Sequence, residues 1–515
     1  MITGDGNLSD LLAGAARRWG PKTALVCDRL GQSVTFAELD RLVDRTASAL
    51  RARGIGPGDH VAVMFRNDLE FPVGWLGVLR AGAAMVPLNI RLAPADLAPI
   101  LRATRPALAL AAAEFAGTLR ELGMEPWPFD VARLDVPTHP GPPPRPETLA
   151  NIQFTSGSTG LSKGCLLSHR YWLALGEAMR EHGPKLRHDD VLLTAQPFYY
   201  MDPQWNLVAS LLTGAKLVVL ERFRSSTFWP SVQQHEATFF YCLGVMPAML
   251  LRTPPVDGER DSKVRYIGCS AIPEGSHAEL ERRFGAPWHE LYGSTETGAD
   301  ILVEARDHDR ALDSGIIGRP LPHREIRVVD QDGRPLPRGV VGRLLVRGVA
   351  MSDGYLGESS ASTVGNGWYD TGDLAIWEPD GFVRFAGRVK DIIRRSGENI
   401  SAAQVEQAVQ GHPKVRLCAC VPVADPVRGE EVKAYVVTVP STSVEIGELV
   451  EHARGQLGSF KVPRYWEPRS SLPLTPSEKI AKAELRRERD DELGPCYDAV
   501  EQAWLDRVPP LPPPR

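Results

Sequence analysis

The 515-residue sequence predicts an α/β protein with a large N-terminal domain and a smaller α+β C-terminal domain. Three observations lead there. The first part of the chain alternates segments of helical and strand periodicity, the pattern of a mostly parallel sheet covered by helices. Beyond Gly315 short strand-like runs are separated by Gly-, Pro- and Asp-rich turns, which predicts an antiparallel sheet or small barrel. After about Lys390 helix and strand signals alternate again.

Thr35 and Glu38 have the spacing of a capping box. Phe36, Leu39, Leu42, Val43 and Leu50 then recur at helical spacing, with Gly54 as a stop. The run HVAVMF, His60 to Phe65, reads as a β-branched strand, and Trp75 to Asn89 repeats the rhythm with a helix ending near Gly82. The proline-dense stretch Pro137 to Pro146 can be neither regular helix nor central strand, so it reads as a linker or surface excursion. The runs IRVVD, RLLVRG and FVRFAG alternate with turns such as DGR at 332–334 and PDG at 379–381. In the second domain a helix is expected over Ala402 to Gln410, with strands over Leu417 to Pro422 and Val432 to Val439. The expected boundaries are 1–389, 390–495 and a Pro-rich tail over 496–515, with no internal repeat.

Composition narrows the function. Hydrophobic content of 43% with 24% charged residues is that of a globular chain, not a disordered or fibrous one. A net charge of −5 and the lack of a long basic block argue against nucleic acid as the main partner. Seven cysteines without a C-x-x-C pair read as reduced thiols rather than a disulfide framework or zinc site. Cys418 and Cys420 alternate in an apolar run, as strand residues on one face do. No signal-peptide pattern opens the chain, and the longest apolar stretch, Leu207 to Leu220, is short of a membrane span and contains Lys216. A cytoplasmic location without a membrane span is expected.

The strongest local signal lies at Thr155, Ser156, Gly157, Ser158, Thr159, Gly160 and Lys163, just after the apolar segment Asn151 to Phe154. Glycines let backbone N–H groups approach a polyanion, hydroxyls add donors and a lysine adds a point charge. A Walker P-loop is excluded, because Ser162 stands where that motif needs the glycine before lysine.

This segment resembles the phosphate loop of the adenylate-forming superfamily of acyl-CoA synthetases, peptide-synthetase adenylation domains and luciferases. Four further elements agree in order. Leu291 to Thr297 is similar to the family's YGxTE element and Tyr369 to Asp373 to its TGD element. Gly387 to Ile393, followed by Gly397-Glu-Asn, resembles the hinge and the glycine loop after it. Pro473 to Ile480 resembles the segment of the C-terminal catalytic lysine. The resemblance implies a large domain of two αβ subdomains plus a small β-barrel, with a mobile α+β domain behind it.

It also implies roles. Residues Thr155 to Lys163 would hold the β- and γ-phosphates of ATP, Glu296 would bind Mg²⁺, and Thr295 would touch the α-phosphate. Asp373 would take the ribose hydroxyls with Arg388 nearby, and Tyr292, next to Gly293, would stack near adenine. Lys479 would neutralise charge as the carboxylate attacks, and Lys390 would be the hinge about which the C-terminal domain swings to present the Gly397 loop to a thiol. The expected cofactors are ATP, Mg²⁺ and CoA, and a carrier-protein thiol or a second copy of the chain stays open as a partner.

Two places depart from the family pattern. Glu478 precedes Lys479 where glycine is usual. The acyl pocket is read at Tyr199, Tyr200, Met201, Asp202 and Gly268, and its aromatics and carboxylate suit an aryl or small polar acid better than a fatty chain. The GENIS loop looks most like the carnitine- or crotonobetaine-CoA ligase and medium-chain ligase branch. Thioester formation is the leading reaction. Acyl loading of a carrier protein, activation of nitrite to turn an aryl amine into a diazo group, and a catalytically silent nucleotide binder are the alternatives.

Overall fold

The structure of the protein is a computed structural model. It describes residues 4–505 except 135, 140, 156–162, 244–245, 274, 358–362, 365, 397, 426, 441, 443, 476–478 and 492–494. The expected capping box forms: Thr35 Oγ1 accepts from the Glu38 N–H and Glu38 accepts from the Thr35 N–H, opening the helix Phe36–Arg51. Its apolar face, with Phe36, Leu39 and Val43 fully buried, packs on the helix Glu70–Ala81, which ends at Gly82 with φ 92°. That conformation suits glycine, as the sequence pattern requires.

The order of a six-stranded sheet is Pro126–Pro128, Leu108–Ala111, His60–Met64, Ala84–Pro87, Leu149–Thr155 and Lys163–Ser168. All its pairings are parallel except the last, an antiparallel pair that sets Thr155 opposite Lys163. A second sheet is parallel from Thr23–Cys27 through Lys216–Val219, Val191–Thr194, Phe239–Leu243, Tyr266–Ser270 and Trp288–Ser294. It then continues antiparallel through Gly298–Leu302, Ile316–Pro320, Val383–Arg388, Trp368–Trp377, Val341–Gly348 and Arg324–Val329. The small β region expected beyond Gly315 is therefore hydrogen-bonded onto the parallel sheet, and it has its own core around Ile317, Val328, Leu344 and Val346.

A third, seven-stranded sheet takes residues from Ile392 onward, with the helix Ala402–Gln410 packed on it. Cys418 and Cys420 are buried on one face with sulfurs 3.9 Å apart, and all seven cysteines are free thiols. One boundary differs from expectation. Residues 496–505 are not a tail: Cys496–Asp498 and Ala503–Leu505 form a hairpin at the sheet edge. Asp498 accepts from Arg464 and the Tyr497 and Trp504 rings meet at 5.7 Å, contacts that a composition-based reading cannot supply. The chain from 506 on lies outside the described residues. No described helix is long and apolar enough to cross a membrane.

Candidate active site

The strand Trp288–Ser294 carries Tyr292 and Gly293 to its C-terminal end, and residues 294–298 turn tightly back into Gly298–Leu302. A Cβ on Gly293 would lie 1.9 Å from the Gly298 carbonyl, so only glycine closes this turn. The turn presents Thr295 and Glu296 and is braced from below. Buried Asp300 accepts from the Thr297 hydroxyl and from Arg324 Nε at 2.8 Å, while Arg324 also donates to the carbonyls of Thr297 and Val349. Further down the strand, Glu281 accepts from the Trp288 N–H at 2.7 Å and meets His308 Nε2 at 2.6 Å and His277 Nε2 at 3.3 Å. Burial would push the Glu281 carboxyl up, but these partners outweigh it and hold it at about 2; the same contact raises the His308 imidazole. Glu290 is held high, at about 8, by burial, although it accepts the N–H groups of Ile272 and Ala271.

Asp373 and Arg388 face each other across paired strands. Asp373 Oδ2 accepts from the Tyr292 hydroxyl at 2.7 Å. Its Oδ1 lies 2.9 Å from Arg388 Nε but is buried without a hydrogen-bond partner. A buried carboxylate oxygen held by an ion pair but by no aligned hydrogen bond can still accept from a nucleoside hydroxyl. Tyr292, expected over adenine, spends its hydroxyl on Asp373 and packs its ring against the β-region core.

Lys479 reaches this place from the C-terminal domain. Its N–H donates to Thr475 Oγ1 at 3.1 Å and its carbonyl accepts from the Thr475 N–H. Crowding by protein lowers its ammonium pKa, Arg388 adds to this, and Asp202 and Asp373 oppose it. Asp202 is pushed up to about 6 by burial, against the pull of Lys479 and a contact from Trp205. Burial also raises Asp373, opposed by Arg388, Tyr292 and Lys479. Lys479 thus feels the charge of both Asp373, beside Tyr292, and Asp202, in the aromatic pocket.

In that pocket Asp202 lies in the first turn of the helix Met201–Thr213, beside Met201. Tyr200 accepts from Asn89 at 3.1 Å, and its ring meets Tyr199 edge-on at 4.8 Å. Tyr199 is only 4% exposed and packs in the main core. The space beside Gly268 is filled by Leu291 and Tyr241, so that glycine allows close strand packing. Thr155 and Lys163 end the hairpin strands, and Lys390 sits in a single 3-10 turn, Val389–Asp391. Ser156, Gly157, Ser158, Thr159 and Gly160, with Gly397 and Glu478, lie outside the described residues. Sequence reasoning missed Asp300, Arg324, Glu290 and Tyr355. Only Tyr355 had a local signal, its place after Gly354 in a turn.

A parallel sheet continued by antiparallel strands that carry the buried Asp373 carboxylate, with a lysine brought in from a second domain, suits a nucleotide-dependent ligase. Comparison with known proteins agrees. The family model described as AMP-binding enzyme matches residues 12–356, and that of the AMP-binding enzyme C-terminal domain matches 404–479. A crotonobetaine/carnitine–CoA ligase of Escherichia coli O7:K1 is 31% identical over 94% of this chain and 100% of its own. The structure of an o-succinylbenzoate CoA synthetase from Bacillus subtilis, in complex with its acyl-adenylate intermediate, has a TM-score of 0.82 at 26% identity. That match covers 92% of this chain and 97% of the other. An anthranilate CoA ligase in complex with anthranoyl-AMP has a TM-score of 0.85 at 23% identity, covering 94% and 97%, a likeness of fold. The chain belongs to the AMP-binding enzyme family. It is an adenylate-forming acid–CoA ligase, which sets aside the nitrite and silent-binder alternatives.

Proposed function

We propose that this ligase activates a small or aromatic carboxylic acid with ATP and Mg²⁺ as an acyl-adenylate, releasing pyrophosphate, and then forms the CoA thioester. The observation that supports the reading is the Asp373 carboxylate fixed by Tyr292 and Arg388, with Lys479 and Asp202 within electrostatic reach of one another. A lysine there neutralises the α-phosphate and the attacking carboxylate as two anions are brought together, the step that most needs charge stabilisation.

Asp373 Oδ1 would take a ribose hydroxyl, with Arg388 orienting its carboxylate and Tyr292 fixing it from the other side. Thr155 and Lys163 would hold the outer phosphates and Thr295 the α-phosphate. Glu296 offers a hard oxygen donor on a braced turn, which fits Mg²⁺ shared with phosphates. When bound, the ion would neutralise phosphate charge. In the acyl pocket, Tyr200, Met201 and Asp202 would contact the acid, with Tyr199 and Gly268 supporting that wall from within the core. Asp202 would pair with an amino or ammonium group on the acid. The unit boundary would fall at the turn 389–391, with Lys390 as hinge. The protein would work in the cytoplasm.

The test is product analysis with ATP, Mg²⁺ and a panel of small and aromatic acids, with and without CoA. AMP and pyrophosphate with one acid, plus its thioester only when CoA is present, support the reading. ADP and phosphate, or AMP without thioester from every acid, overturn it.

A further inference from the structure

We propose that Tyr355 is a positioning residue that couples Lys163 to Glu296, so that the lysine behind the phosphate loop and the metal-side carboxylate are set as one unit. Its hydroxyl donates to Glu296 Oε1 at 2.7 Å, and Lys163 Nζ sits over its ring, 4.7 Å from the centroid. The side chain is 7% exposed, so one buried ring meets both charged groups.

The backbone around it is tied to the same two elements. Tyr355 forms an antiparallel bridge with Cys165. Leu166 N–H donates to the Gly354 carbonyl at 2.9 Å and Leu356 N–H to the Gly164 carbonyl at 2.8 Å, so 354–356 adds a short strand edge to Lys163–Ser168. Three residues earlier, Ser352 N–H donates to the Glu296 carbonyl at 2.8 Å. Cys165 Sγ reaches the Thr295 carbonyl at 3.8 Å, and the Tyr355 hydroxyl lies 3.4 Å from that of Tyr369, on the strand that carries Asp373.

The physical consequence concerns order before the nucleotide arrives. A lysine and a glutamate on separate segments lose rotamer freedom when they engage a polyphosphate and its metal. A ring face that attracts the ammonium and a phenol that fixes one carboxylate oxygen remove part of that loss beforehand. Phenylalanine at 355 would keep the first effect and lose the second; leucine would lose both.

This inference rests on the reading that Glu296 serves the metal, and the experiment separates the two. Binding of α,β-methylene-ATP and of AMP to the full chain is measured by calorimetry, with and without Mg²⁺, in wild type, Tyr355→Phe and Tyr355→Leu. Mg²⁺-enhanced analogue binding is expected in wild type; its absence there would remove the metal reading itself. Tyr355→Phe is expected to lose about tenfold of the Mg²⁺ enhancement, the size of a hydrogen bond to a charged group, with metal-free binding and AMP binding unchanged. Tyr355→Leu is expected to weaken metal-free analogue binding as well. Equal loss for AMP and the analogue in both variants would mean a merely structural role and overturn the proposal. So would Tyr355→Phe indistinguishable from wild type.

Discussion

Removing the carboxylate of Asp300 tests the scaffold beneath the catalytic turn. The Asp300 and Arg324 side chains are 0% and 2% exposed, and their ion pair is completed by the Thr297 hydroxyl and two carbonyls. Burial raises the Asp300 carboxyl even though Arg324 opposes the shift. The pair is therefore costly to form but more costly to break. Asp300→Ala strands a guanidinium in the core, for which about 3–5 kcal/mol is the usual loss. Arg324→Met strands a carboxylate at similar cost. The double variant Asp300→Ala/Arg324→Met removes both charges and should lose far less than the sum. Urea midpoints for the four proteins give the coupling energy, and ATP KM should rise in the single variants because Arg324 holds the Thr297 carbonyl. A single variant within about 1 kcal/mol of wild type, or strictly additive losses, would refute this reasoning.

Three further outcomes follow. Asp202 titrates at about 6, above its ordinary 3.8, so its ionisation destabilises the fold as pH rises through that range. Asp202→Asn should raise thermal stability at pH 7.5, by up to about 3 kcal/mol, while abolishing a loss of kcat/KM below pH 6 for an amino-bearing acid. Lys390→Pro fixes φ at the turn and should spare pyrophosphate release while impairing thioester formation; equal loss of both half-reactions would contradict the hinge. Glu281, held at about 2, adds stability that is present above its ordinary range and lost as pH falls towards 2. His308, raised, adds stability that is lost as pH climbs past its folded pKa. Tm against pH should form a plateau between these limits that flattens in Glu281→Gln; an unchanged profile would speak against the pair.

Much of this fold was legible because its signals are local. The capping box at Thr35 and Glu38, the stop at Gly82 and the helix Ala402–Gln410 each depend on neighbours a few residues away. Gly293 and the segment from Thr155 to Lys163 were marked through motif spacing, but the strand pairing of Thr155 with Lys163 was not. The Asp300–Arg324 brace was not, since nothing in either residue's surroundings in sequence marks a partner 24 positions away. Burial likewise separated residues that look equivalent in sequence: Tyr199 went into the core while Tyr200 and Asp202 remained at the cleft. The edge hairpin at 496–505 was hidden because its stability comes from Arg464 and the strand Tyr465–Pro468, not from its own composition.

The central claim is attack of a substrate carboxylate on the α-phosphate of ATP under the charge of Lys479. The most direct measurement gives the enzyme its acid labelled with ¹⁸O in the carboxyl group, together with ATP, Mg²⁺ and CoA, and analyses the products by mass spectrometry. The account predicts one labelled oxygen in AMP, none in pyrophosphate, and loss of the labelled AMP in Lys479→Ala. Label in inorganic phosphate alongside ADP, or unlabelled AMP, would contradict it.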